Sequence, residues 1–140
     1  MADIDQDFCK SAKLRKNFAK ILQPTSDIPD INYRFDFSIY NQLCYVQIKC
    51  GTIEDAKETM KIVEDLYNKI DKKAPIKLIE FYHMNKALLA NIAGNKEESK
   101  KQFILATDIA ITSENNIVTR DILTERINAD LDTPEEHSRL

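Results

Sequence analysis

The sequence predicts an all-α protein: two helical hairpins stacked side by side, flanked by a leading and a trailing helix, about six helices in all. Three observations carry this. Two glycines and four prolines in 140 residues are too few for a turn-rich β fold. Apolar side chains recur at intervals of three and four along most of the chain, the period of a half-buried helix. Both glycines, Gly51 and Gly94, open a charged decapeptide that closes on a large apolar residue, "GTIEDAKETM" and "GNKEESKKQF".

Residues 1–34 are expected to form an N-terminal amphipathic helix and a proline-containing linker. Over 6–22, Leu14, Phe18, Ile21 and Leu22 fall at helical spacing, and Phe8 and Ala12 extend the stripe. "QPTSDIPDINYR" then brings Pro24 and Pro29 among Ser and Asp residues, which stop a helix and predict a connection of about a dozen residues. From Phe35 to Cys50 two neighbouring stripes, Ile39/Leu43/Val46 and Tyr40/Cys44/Ile48, give a broad buried face. Gly51 ends that helix, because a glycine just past the last turn takes the left-handed conformation its carbonyls need. Thr52, with Asp55 three residues on, predicts a cap for the next helix, whose inner face is Ile53, Ala56, Met60, Val63, Tyr67 and Ile70.

The pattern recurs in a second hairpin. The first spans 35–71 and the second 76–112, where "IKLIEFYHMNKALLANIA" is ended by Gly94, Asn95 caps, and Phe103, Ala106, Ile109 and Ala110 face inward. The two glycines lie 43 residues apart, and around each stand a small residue (Ala56, Ser99), a bulky one (Met60, Phe103) and a further apolar one (Val63, Ala106), which reads as an internal repeat. Residues 117–129, with Val118, Ile122 and Leu123, predict a terminal capping helix within the 35–130 helical region. The acidic stretch 131–140 has too little apolar content to pack and is expected to be a flexible tail.

These residues resemble the tetratricopeptide repeat. Its large residue, leucine and small residue in the first helix are echoed by Tyr40, Leu43 and Cys44. Its glycine, small residue and aromatic in the second are echoed by Gly51, Ala56 and Met60, and again by Gly94, Ser99 and Phe103. The resemblance covers about residues 37–110. Gln47 and Ala90 stand where the family has a large residue, and Lys86 where it prefers leucine. A spacing of 43 exceeds the family's ~34 and also suits hairpins of the HEAT type. The resemblance implies a right-handed stack of antiparallel hairpins whose first helices line a concave groove. It places Asn41, Tyr45 and Lys49 on that groove in the first unit, and Met84, Leu88 and Asn91 in the second. Tyr, Met and Leu interspersed with Asn suit a peptide: the apolar groups anchor it and the amides hold its backbone. If the N-terminal helix fills the groove, the binding surface lies elsewhere.

The function expected is therefore a non-catalytic interaction module for a peptide segment or partner subunit, with no cofactor. Alternatives are a fragment of a peptide-sensing regulator, a structural homo-oligomer, or a helical-bundle metal protein using Glu80 and His83, three apart as in di-iron bundles. A metal site needs a second such pair, and the only other histidine is His137, so no metal is expected. No glycine-rich phosphate loop or nucleophile elbow is present, which argues against an enzyme. A net charge of −3 makes nucleic acid an unlikely partner at the level of the whole chain, but Lys10, Lys13, Arg15, Lys16 and Lys20 form a local basic patch. That patch suits an acidic partner, an RNA or an anionic membrane surface, or is simply a solvated face. No apolar run reaches the ~18 residues of a membrane span. Three cysteines without paired spacing or a recognisable secretory leader predict a reducing, cytoplasmic location. Ser138-Arg139-Leu140 resemble a peroxisomal address of the Ser-Lys-Leu type and equally a PDZ ligand.

Overall fold

A computed structural model describes residues 4–21, 26–114 and 116–129, with side chains from residue 7 onward, and helices make up every regular element among them. There are six among the described residues: α1 (Ile4–Ile21), α2 (Pro29–Cys50), α3 (Ile53–Lys69), α4 (Ile79–Ile92), α5 (Lys96–Thr112) and α6 (Asn116–Asn128). Helices adjacent in sequence pack on one another: α1 on α2, α2 on α3, α4 on α5 and α5 on α6. The chain divides at Leu78/Ile79 into two compact units, each with its own core. Among the described residues no helix is long and apolar enough to cross a membrane. The stretch 130–140, including His137 and Ser138-Arg139-Leu140, lies outside the described residues, as do Leu22 and Pro24.

In the first unit α2 begins at Pro29 rather than at 35. Proline was read as a stop, but in the first helical turn its missing N–H is one of the orphan donors and its fixed φ suits the helix. The entry is held by Ser26 and Asn32. Asn32 Nδ2 donates to the Ser26 carbonyl at 2.9 Å, and Ser26 Oγ accepts from the Ile28 N–H at 3.1 Å. Arg34, one turn into α2, donates to the carbonyl oxygens of Asp71 (2.5 Å), Pro75 (2.9 Å) and Ala74 (3.2 Å) and pairs with Asp30 at 2.7 Å. It thereby clamps the segment that leaves α3. The core of the unit is Leu43, Cys44, Ala56, Met60, Val63 and Ile70, all buried as the α2 and α3 stripes predict, together with Phe37, which those stripes did not include.

In the second unit α4 starts at Ile79 rather than 76, after Leu78 takes a positive φ of 59°. Its core unites Tyr82, Met84 and Ala87 of α4 with Ser99, Phe103, Ala106 and Ala110 of α5 and Val118 and Ile122 of α6. Arg126 of α6 reaches back to Thr107 Oγ1 at 3.4 Å, docking the last helix on α5.

The two hairpins share their turn chemistry. Gly51 and Gly94 have φ of 90° and 84°, and the following residue closes the turn onto the carbonyl five residues back, Thr52 N–H to Gln47 at 3.1 Å and Asn95 N–H to Ala90 at 2.9 Å. The helix starts differ. Asn95 caps α5 by accepting from the Glu98 N–H at 3.3 Å, as expected. Thr52 does not cap α3 with its side chain; its hydroxyl instead donates back to the Gln47 carbonyl at 3.2 Å, reinforcing the end of α2.

Candidate functional site

The single predicted stripe of α1 is two faces in the structure. Phe8, Ala12, Arg15 and Ala19, at i, i+4, i+7 and i+11, turn towards α2, where Ala12 is buried against Leu43 and Val46 and Phe8 meets Tyr45 edge to face at 6.3 Å. Leu14, Phe18 and Ile21, at i, i+4 and i+7, point the other way and are 61%, 58% and 74% exposed. Both sets satisfy helical periodicity, so spacing alone could not separate them. The one fully buried side chain is the small Ala12, with Phe8 and Ala19 half-buried on either side of it.

Two links reinforce this thin contact. Arg15 Nη1 donates to Gln42 Oε1 at 2.6 Å while its Nε donates to Ser11 Oγ at 3.2 Å. Cys9 and Cys50 form a disulfide, with Cα atoms 4.9 Å apart and a sequence separation of 41. Sequence spacing held no sign of that pair, because it follows from α1 running alongside α2 so that its second turn meets the last residue of α2. Cys44, the remaining cysteine, is buried, donates its S–H to the Ala56 carbonyl at 3.6 Å, and has its thiol pKa pushed up to about 12 by burial. It is chemically quiet.

The expected groove residues lie as follows. Asn41 is buried, Tyr45 is half-buried beneath Phe8, and Lys49 is half-buried; α1 therefore occupies the surface that Tyr45 was expected to offer a ligand. In the other unit Met84 and Leu88 are buried and Asn91 is half-buried. Of the basic patch, Lys10, Lys13, Lys16 and Lys20 are exposed, while Arg15 is engaged with Gln42. Lys16 and Lys20 form one wall of an open cleft of ≈ 150 Å³, with Asp55 and Glu58 of α3 on the opposite wall and Leu43 and Gln47 among the lining residues. Gln47 is buried there and accepts from Thr59 Oγ1 at 2.6 Å, which satisfies a polar group where the resemblance expects a bulky apolar one.

Glu80 is buried, whereas His83 is half-buried with Nδ1 2.8 Å from Gln102 Oε1. Gln102 donates its own amide N–H to Glu98 Oε1 at 2.8 Å, so its oxygen faces the ring and His83 Nδ1 carries the proton. Burial holds the His83 pKa below its ordinary value; the Gln102 hydrogen bond opposes this and the charge of Lys86 adds to it. Among the described residues no three His, Cys, Asp or Glu side chains gather as a metal site. No protein-family model matches the chain, no curated protein matches it, and no solved structure matches it.

Proposed function

We propose that this protein is a non-catalytic interaction module whose docking surface is the outer face of α1, and that it takes an acidic, amphipathic helical segment of a partner protein. One observation carries the reading: three large apolar side chains, Leu14, Phe18 and Ile21, stand exposed in one line on a helix that is already packed on its other side. Isolated exposed apolar residues are ordinary, but a row at i, i+4 and i+7 is the pattern by which one helix engages another. The flanks fix the sign of the partner. No acidic residue occurs between Asp7 and Asp27, and Lys10, Lys13 and Lys20 border the row.

A narrow partner fits better than a membrane surface. The apolar row is only three side chains wide in total, and the acids Asp55 and Glu58 face Lys16 and Lys20 across the cleft beside it. An extended anionic surface would be repelled by those carboxylates and by the net charge of −3, whereas a single helix carrying Glu along its edges need meet only the lysines. Within this reading each hairpin is a unit of the tetratricopeptide kind. The recurrence of turn chemistry and of buried positions at a spacing of 43 supports that, and α1 covers in the first unit the α2 surface that such a hairpin offers to a ligand.

The test is fluorescence anisotropy with a labelled helical peptide bearing Leu at three- and four-residue spacing and Glu on both flanks. Binding should be lost in Leu14→Asp/Phe18→Asp with helicity unchanged, and should weaken as salt is raised and the Debye length falls from about 10 Å towards 3 Å. Binding that survives the double substitution would sink the proposal. So would a chain that ignores the peptide yet adheres to phosphatidylserine vesicles.

A further inference from the structure

We infer that the Cys9–Cys50 disulfide is a reversible clamp on α1, so that thiol reduction withdraws the docking face. This rests on the docking proposal above for its consequence, but its structural basis is separate. Among the described side chains of α1 only Ala12 is buried, and the Phe8–Tyr45 ring contact and the Arg15–Gln42 hydrogen bond that flank it lie at or near the surface, so a large share of the packing on α2 is open to water. The helix cannot stand without its platform. An isolated helix of this length is marginal in water, and the pairs Lys10/Lys13, Lys13/Lys16 and Lys16/Lys20 place like charges three or four residues apart. Released from α2, it loses the alignment that puts Leu14, Phe18 and Ile21 in one row.

The bond is open to exchange. Both cysteines are only partly buried, and the neighbouring Lys10 and Lys49 attract an incoming thiolate. A low-molecular-weight thiol of the glutathione class attacks one sulfur to form a mixed disulfide and expels the other cysteine as a thiolate. A second thiol resolves the mixed disulfide. The net change is one protein disulfide reduced to two thiols and two small thiols oxidised to one disulfide. Cys44, buried and fully protonated, does not enter the exchange, so the same pair re-forms on oxidation. In a reducing compartment, disulfides that do form are characteristically transient and sensing ones.

The experiment compares the full chain, oxidised and reduced with dithiothreitol, by hydrogen exchange and by anisotropy of the Glu-flanked peptide. Reduction should raise exchange across α1 on the order of tenfold or more, since the constraint of a long closed loop is removed, while α2 and α3 stay protected. Peptide affinity should fall by a similar factor and return with oxidised glutathione. Cys9→Ser/Cys50→Ser should sit permanently in the weak state, and Cys44→Ser should respond like the wild type. Unchanged exchange in α1 on reduction overturns the clamp even if Leu14→Asp/Phe18→Asp still abolishes binding. Loss of protection throughout the first unit also overturns it, by making the bond a structural staple. Release of α1 with no peptide bound in either form supports the clamp and overturns the docking surface.

Discussion

Ser99 Oγ donates to the carbonyl oxygen of Ala87 at 2.6 Å, and both residues are completely buried between α5 and α4. The pair that stands 43 residues earlier, Ala56 and Cys44, is joined in the opposite direction, with the Cys44 S–H donating to the Ala56 carbonyl at 3.6 Å. Each hairpin thus holds its two helices close at the same point with a small residue on one side and a short donor. The donor has changed helix between the units.

Replacing Ser99 by Ala keeps the close approach but removes the donor. The expected cost is about 1–2 kcal/mol in urea denaturation, because a buried carbonyl loses a short partner. Ser99→Val should cost more, since added methyls have nowhere to go in a filled interior.

Both turn glycines have open space around the position a Cβ would take, so an alanine there meets no neighbour. What remains is the left-handed backbone. Gly51→Ala and Gly94→Ala should each destabilise by about 1–2 kcal/mol, and asparagine at either position by less. Equal losses from the two sites would show that strain alone is responsible.

His83 is neutral by preference in the folded state, its pKa lying below the unfolded value of 6.5. The unfolded chain therefore binds the extra proton first. The contribution of this group is complete above about pH 6.5 and is lost as pH falls towards the folded value. Denaturant midpoints measured from pH 7.5 to 5 should drop more steeply for the wild type than for His83→Gln. Parallel curves for the two proteins would contradict this.

Arg34 reaches three carbonyl oxygens beyond α3 through a planar fork. Arg34→Lys should fail to restore what Arg34→Ala removes, because an ammonium presents its donors from a single point. The site is partly exposed, so a loss of about 1 kcal/mol is expected for either change. Exchange should rise at the amide of Asp71, which donates to Asp30 at 2.7 Å and owes its alignment to the same cluster.

Much of the architecture was legible because glycine and helical periodicity act locally. Ala56, Met60, Val63 and Ile70 of the α3 stripe, Phe103, Ala106 and Ala110 of α5, and Val118 and Ile122 of α6 are buried where spacing put them, while Ile53, Tyr67, Ile109 and Leu123 of the same stripes are half-buried. Proline was ambiguous, since Pro29 opens a helix by the same lack of an N–H that lets a proline break one. The α1 stripe was divided by which face meets α2, a tertiary fact that periodicity does not encode. Cys9 and Cys50, and likewise Arg34 and the carbonyls at 71–75, are brought together only once helices have folded back, so no local pattern announces them. The candidate docking face was visible as residues, yet the side it faces was not.

Phe8 sits on Tyr45 as part of the same covalent chain, joined both by the backbone that leads into α2 and by a sulfur bridge. An attached occupant of this kind acts at an effective concentration in the millimolar range or above. A free peptide competing for Tyr45 at micromolar levels must therefore bind about a thousandfold tighter than α1 does merely to draw level. Any molecule that competes with α1 for Tyr45 therefore faces a tethered rival, and one that opens the bridge gains more than one that merely resembles the helix.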